Sequence, residues 1–497
     1  MTALRRSMAV ACTTVLCTVA AQAQDRPDPR QAAAQIATVL SLMSGGALGT
    51  ADHPAKITPD GDAFRVQVPL PAVTDPSGAN LTALLKPRGD GVWDITSATL
   101  PSSGSFTVKQ ATNTVPSQFS FSIGQQMING RIDPSLAQPS PFTMALTDVK
   151  IKAITGADQS EQSIARQTLQ GTLSGEADNR VTLRTQGTAS DWHIRARSSD
   201  GHTSNSQIRS AASAIEVEGL DRGQAEKLRE AARQFIDTVQ AVGPDAAKQK
   251  ELTEPQRQQL GALIDALQGL LSRLNVEETL EGVHFEGPSG TEGGVSRMRF
   301  AMAGESRDDH LNANIDLTLH DLTVANVPPE LATYLPTLVQ IRPELAGIKS
   351  SGLLRFLHHA ADGMPPDALQ DEAIGLLSEP GARLGIEKLS MTAGPLRIDG
   401  AGRMLPPVNG NPGVEARIIA RGVDATLAKV QADPKTAKFM PLVYLAKGMV
   451  RTEGDALVWD VRLVDGAVSV NGVPMAPSGP PPGGTPPGAR GTPRPPR

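Results

Sequence analysis

Over most of this chain the apolar residues recur at every second position, and that period limits the fold more than any other feature. Phe64, Val66, Val68 and Leu70 alternate with polar neighbours, Gly89-Asp90-Gly91 separates two further runs at 81–86 and 92–100, and Phe106, Val108, Phe119, Phe121 and Ile123 continue the pattern. Near the C-terminus Leu457, Trp459, Val461 and Leu463 alternate with Val458, Asp460 and Arg462, after which Asp465-Gly466 supplies a two-residue hairpin turn. Side chains two apart share one face of a strand, so these runs predict consecutive antiparallel strands with one wet face. Runs at 167–173, 180–185 and 192–197 carry fewer large apolar residues and are expected to be weakly buried or edge strands.

Composition agrees with a sheet-rich chain. Aromatic residues make up only 3% of the 497, against 47 glycines and 39 prolines, so a core must rest on aliphatic side chains with many turns between short elements. The first 23 residues predict export. Arg5 and Arg6 precede a short apolar run, and Ala21-Gln22-Ala23 offers a small-residue cleavage site after Ala23, which places the mature protein in the periplasm. Both cysteines, Cys12 and Cys17, lie in that segment, so a mature chain has no disulfide, thiolate ligand or cysteine nucleophile. Losing the two arginines takes the net charge from −5 to −7, with no basic footprint for nucleic acid and at most peripheral membrane association. The tail 476–497, rich in Pro and Gly, cannot form a core and reads as disordered and solvated.

Helical periods interrupt the strands. A first helix is expected over 28–43, with Asp28 as cap and Pro29 in its first turn. A helical hairpin is expected over 221–275: Asp221 and Gln224 open its first helix, Thr253 and Gln256 its second, and leucines from Leu260 to Leu274 recur at three-and-four spacing. A helical insertion is expected at 329–378, broken by Pro336, Pro343 and Pro365-Pro366. The motif MALTDVKI at 144–151 parallels LTLHDLTV at 317–324. In both the apolar phase slips by one residue at the aspartate, Asp148 or Asp321, as a bulge or kink would require. Each is followed further on by a strand running into Gly, an aliphatic residue, Asp and a helix, IEVEGLD ending at Asp221 and IIARGVD ending at Asp424. The expected architecture is therefore α+β and sheet-dominated, with antiparallel meanders in two related units, 24–220 and 276–475, plus covering helices and the hairpin.

Groups able to carry chemistry are sparse. His358 and His359 stand about 100° apart on a helix, so they do not share a face as two metal ligands would. Asp308-Asp309-His310 reads as a solvated turn, and no phosphate-cradling glycine motif or nucleophile elbow occurs, so no catalytic, metal or cofactor site is expected. The positions singled out as ligand-contacting or structural are Trp459, Trp93, Phe285, Phe300, Asp148, Asp321, Asp221 and Asp424. Trp459 is expected to be a core ring whose loss costs several kcal/mol, on the order of other large aromatic truncations.

The stretch 414–475, ARIIARGVDATLAKV followed by LAKGMVRTEGDALVWDVRLVDGAVSVNGVPM with its Asn471-Gly472 turn, resembles the C-terminal region of uncharacterised exported YdgA-like proteins of Gram-negative bacteria and their alphaproteobacterial relatives. The resemblance implies an envelope role without an assigned reaction. The function expected is a non-catalytic periplasmic protein binding an apolar, lipid-like ligand or a partner protein on curved sheets. The alternative is an envelope assembly scaffold docking through the helical hairpin, with a hydrolase less favoured.

Overall fold

The computed structural model describes residues 28–43, 54–70, 80–89, 91–108, 115–133, 138–175, 179–242, 252–287, 290–327, 332–408, 411–430 and 447–475. The export segment, the proline-rich tail and residues 434–446, a proline-led stretch whose sequence predicts a further helix, lie outside the described residues.

The strands are β1 (Lys56–Asp60), β2 (Ala63–Pro69), β3 (Asn80–Gly89), β4 (Val92–Thr99), β5 (Ser103–Val108), β6 (Ser117–Ser122), β7 (Gln126–Asp133), β8 (Gln138–Thr155), β9 (Asp158–Gly175), β10 (Arg180–Arg197), β11 (Thr203–Asp221), β12 (Arg273–Glu286), β13 (Glu292–Arg307), β14 (His310–Val324), β15 (Leu338–Lys349), β16 (Arg383–Ala393), β17 (Leu396–Val408), β18 (Asn411–Arg421), β19 (Arg451–Glu453), β20 (Ala456–Val464), β21 (Ala467–Val470) and β22 (Val473–Pro474). Among the described residues every pairing is antiparallel, and all 22 strands belong to one sheet. The ladder runs β1 to β4 in sequence, crosses to β7 and then β8, and proceeds strand by strand from β8 to β18 before closing on β20, β21 and β22. Antiparallel neighbours need only tight turns between them, which is why the sheet follows the sequence so closely. The α+β, sheet-dominated class expected from the alternation is the one observed. The two halves share one ladder: β11 pairs with β12 from Asn205–Glu286 to Glu218–Arg273.

Among the described residues one helix precedes the ladder, α1 (Pro29–Met43), and five interrupt it: α2 (Arg222–Val242), α3 (Glu254–Leu267), α4 (Ser350–Ala361), α5 (Pro366–Leu377) and α6 (Val423–Val430). Among the described residues the well-buried core cluster lies at the N-terminal end, where Ala32 and Ile36 of α1 pack with Phe64, Val66, Val68, Leu85 and Trp93. Phe64 and Trp93 meet edge to face at 5.6 Å between ring centres. Strands β11 and β15 point the same way, being four steps apart in an alternating ladder, so α2–α3 and α4–α5 sit at the same end of the sheet. There His358 Nε2 bonds Asp265 Oδ1 at 2.8 Å, and Arg257 Nη1 donates to the Asp362 carbonyl at 3.3 Å, tying α3 to α4. Strand β18 points the other way, and α6 leaves from the opposite end.

Several expectations are corrected. The insertion at 329–378 is not wholly helical: residues Leu338–Lys349 form β15, with Pro343 at a register irregularity where its missing N–H costs no ladder bond. The second hairpin helix stops at Leu267 rather than reaching Leu274, because Gly269 turns the chain with φ +67° and Arg273 already begins β12. The runs expected to be weakly buried or edge strands are β9 and β10: their side chains are mostly exposed or half-buried, as the first alternative has it, but both strands are 18 residues long and pair on both sides, so neither is an edge. Their Gly, Ser, Thr and Ala residues still make a full backbone ladder, which side-chain bulk does not report.

Candidate functional site

Alternation and register together sort the side chains of β8–β18 onto two faces of opposite chemistry. One row of registered partners runs Met144, Leu169, Gly187, Ser213, Glu278, Phe300, Leu317, Ile341 and Leu389, ending at Gly400 and Ile418. Two residues along, the row is Phe142, Gly171, Thr185, Ile215, Val276, Met302 and Ile315, and on the other side it is Leu146, Gln167, Ala189, Ala211, Leu280, Met298, Leu319, Val339, Met391 and Ile398. Apart from Gln167, Thr185, Ser213 and Glu278, this face carries aliphatic, aromatic or glycine positions. Close packing within it is visible where the Phe142 ring lies over Gly171 and where Gly187 faces Leu169.

The reverse face is charged and internally paired. Arg184 bonds Glu216 at 2.6 Å, Arg299 bonds Glu277 at 2.9 Å, Arg342 bonds Asp316 at 2.7 Å, and Arg403 and Arg462 hold Glu415 from both sides at 2.6 and 3.2 Å. Asp316 is the most enclosed member, with only 8% of its side chain exposed. Burial alone would raise its pKa, but hydrogen bonds from Gln340, Arg342 and Thr318 outweigh that and hold the carboxyl below the ordinary range. Arg184, by hydrogen bonding, likewise lowers Glu216, and Arg403 lowers Glu415. A recess of about 820 Å³ opens on this face between Glu344, Arg403, Arg417 and Arg462.

Among the described residues nothing buries the apolar face. Ile215 and Ile315 in these rows, and Leu384, Ile386 and Val414 farther along the same strands, are all 37–39% exposed, and of the large side chains in the rows only Leu146 is buried. From β8 to β18 the face spans ten strand spacings, roughly 48 Å, and its three rows cover roughly 14 Å along the strands. An area of up to roughly 670 Å² exceeds the few hundred Å² of contiguous apolar surface that a monomer ordinarily leaves uncovered.

A crease crosses this sheet at right angles to its strands. Asp148, Ala165, Asp191, Arg209, Gly282, Ser296 and Asp321 stand in one row across β8–β14, since the pairs on either side of each keep register. Four of them, in alternate strands, adopt left-handed backbone: Asp148 (φ 51°), Asp191 (φ 50°), Gly282 (φ 59°) and Asp321 (φ 50°). Aspartate and glycine tolerate that region better than most residues. The phase slip read at Asp148 and Asp321 is therefore real, and Leu146 and Val149, three residues apart across Asp148, are both buried. Beyond the crease the apolar face continues through Val149, Ile164, Trp192, Ile208, Val283 and Val295. Asp321 is further fixed by Ser296 Oγ, which donates to its Oδ2 at 2.7 Å.

The singled-out residues divide accordingly. Phe285, Phe300 and Trp459 lie on the apolar face, and Asp148 and Asp321 on the crease. Asp221 caps α2, accepting from the Gln224 N–H at 2.9 Å, as expected. Asp424 does not cap: it falls inside the first turn of α6 and pairs with Lys447. Trp459 is only partly buried, whereas Trp93 is 1% exposed, so the core ring is Trp93. Asp191 and Gly282 escaped sequence reading because a crease shared across strands shows only once register is known. Asp309 lies in an exposed turn, as expected, and in addition caps α4 by accepting from the Ser351 N–H at 2.9 Å and its hydroxyl at 2.6 Å. His358 and His359 turn to different helices, the latter bonding Glu372 of α5 at 2.8 Å. Among the described residues no three His, Cys, Asp or Glu side chains gather where they could hold a metal ion, and no helix is long and apolar enough to cross a membrane. No family model, curated protein or solved structure matches this chain.

Proposed function

We propose that this is a non-catalytic exported envelope protein whose apolar sheet face holds the hydrocarbon of a lipid-like ligand, with the ion-paired face toward water. The observation that carries the reading is the uncovered apolar surface of β8–β18, whose Ile215, Ile315, Leu384, Ile386 and Val414 stay more than a third exposed. The export-type N-terminus and the resemblance of 414–475 to YdgA-like proteins support the compartment. The test is mass spectrometry of lipid co-purifying with the protein, together with titration of a fluorescent fatty acyl probe. Saturable uptake that falls at least about tenfold in Leu317→Asp/Ile341→Asp, while Arg403→Ala binds normally, is expected. A lipid-free protein that takes up no probe overturns it.

A second reading, docking of an envelope assembly partner through α2–α3, is favoured by the gathering of four helices at one sheet end through His358 and Arg257. Deleting 222–267 should then abolish partner capture while circular dichroism still shows the sheet, and unchanged capture excludes it.

A further inference from the structure

We infer that the charged face carries an anion site beyond the crease, on the side of the sheet opposite the proposed lipid face and independent of it. A recess of about 800 Å³ opens there across β6 and β8–β12. Its floor is one registered row: Ser122, Lys150, Ser163, His193, Gln207 and His284. All six side chains can donate hydrogen bonds, and none is a carboxylate.

The carboxylates of the neighbouring row are already engaged. Glu161 is held by Lys152 at 2.9 Å, Glu286 accepts from Asn205 Nδ2 at 2.9 Å, and Glu292 pairs with His284 at 3.3 Å. Lys150 and His193 make no ion pair among the described residues, and they stand two strand spacings apart, roughly 10 Å, with Ser163 between them. Arg195 lines the same recess two residues along β10. An ammonium and a guanidinium with interleaved hydroxyl and imidazole donors match the oxygens of a phosphate monoester or inorganic phosphate. The recess is wide enough for an organic group beside the anion.

The test is isothermal titration of the full chain with inorganic phosphate and, separately, with glycerol 3-phosphate. Both should bind saturably, Lys150→Glu should weaken both by about tenfold or more, and Lys150→Arg should retain them. Tighter binding of glycerol 3-phosphate identifies a phosphorylated organic headgroup as the source of the anion, and equal binding identifies the bare ion. The site is overturned if neither probe binds saturably, or if Lys150→Glu, shown folded by circular dichroism, binds as the unaltered protein does. Acyl probe uptake, measured in the same variant, should not change, which separates failure of this site from failure of the lipid reading.

Discussion

At the scale of single residues the structure separates groups that look alike in sequence. Trp93 and Trp459 both sit in alternating runs, but Trp93 is 1% exposed against Phe64 while Trp459 lies on the open apolar face. Trp93→Ala should therefore cost about 3–5 kcal/mol and Trp459→Ala less than half of that, read by chemical denaturation. Equal losses would mean that the apolar face is buried in solution. The left-handed aspartates allow a sharper comparison. Asp148→Gly should stay within about 0.5 kcal/mol of the parent, while Asp148→Val, β-branched where φ is +51°, should lose at least about 1–2 kcal/mol. Asp316 makes a pH prediction. Its carboxyl is lowered in the fold, so its stabilising contribution is present above the unfolded value of about 4 and disappears as pH falls through the lower folded value. Melting temperature should drop less steeply below about pH 4 in Asp316→Asn than in the parent. Parallel pH profiles would show that Arg342 and Gln340 do not hold the ionised form.

At the scale of elements, what was legible depended on whether neighbouring residues in sequence carried the signal. The helices α1 and α2 were readable from their caps and stripes, and the turns Asp465-Gly466 and Asn471-Gly472 from their dipeptides, which adopt φ of 50° and 75°, and of 50° and 80°. Strand β15 was hidden because two prolines near it imitate a broken helix, although a proline at a register irregularity leaves a strand intact. The capping role of Asp309 was hidden because its partner is 42 residues away. The junction of β18 with α6 is the most demanding local geometry in the ladder. Gly422 has φ +69°, and an added Cβ would stand 1.9 Å from the Pro395 carbonyl oxygen. Gly422→Ala should lower the melting temperature by several degrees, on the order expected for an overpacked and left-handed position. An unchanged melting curve would show that β17 and β18 separate easily.

At the scale of the whole molecule the unusual feature is a sheet with one charged face, one apolar face and, among the described residues, little that is fully buried. Exposed ion pairs contribute little each, so the reverse face is better understood as a solvated surface than as the source of stability. If hydrocarbon covers the apolar face, occupancy must stabilise the fold by mass action. Titration with a single-chain phospholipid below its micelle threshold should raise the melting temperature progressively, and a fall would favour a face that acts only in the unfolded chain. The sequence by itself determined the antiparallel class, the positions of the first helices and the phase slips at Asp148 and Asp321, because period, caps and turn dipeptides act between residues a few positions apart. Only the tertiary structure decided that the strands form a single ladder, that four left-handed residues line up as one crease, and that the apolar rows merge into one face left uncovered among the described residues. Those facts depend on register between strands, which is set by pairings between residues far apart in the chain.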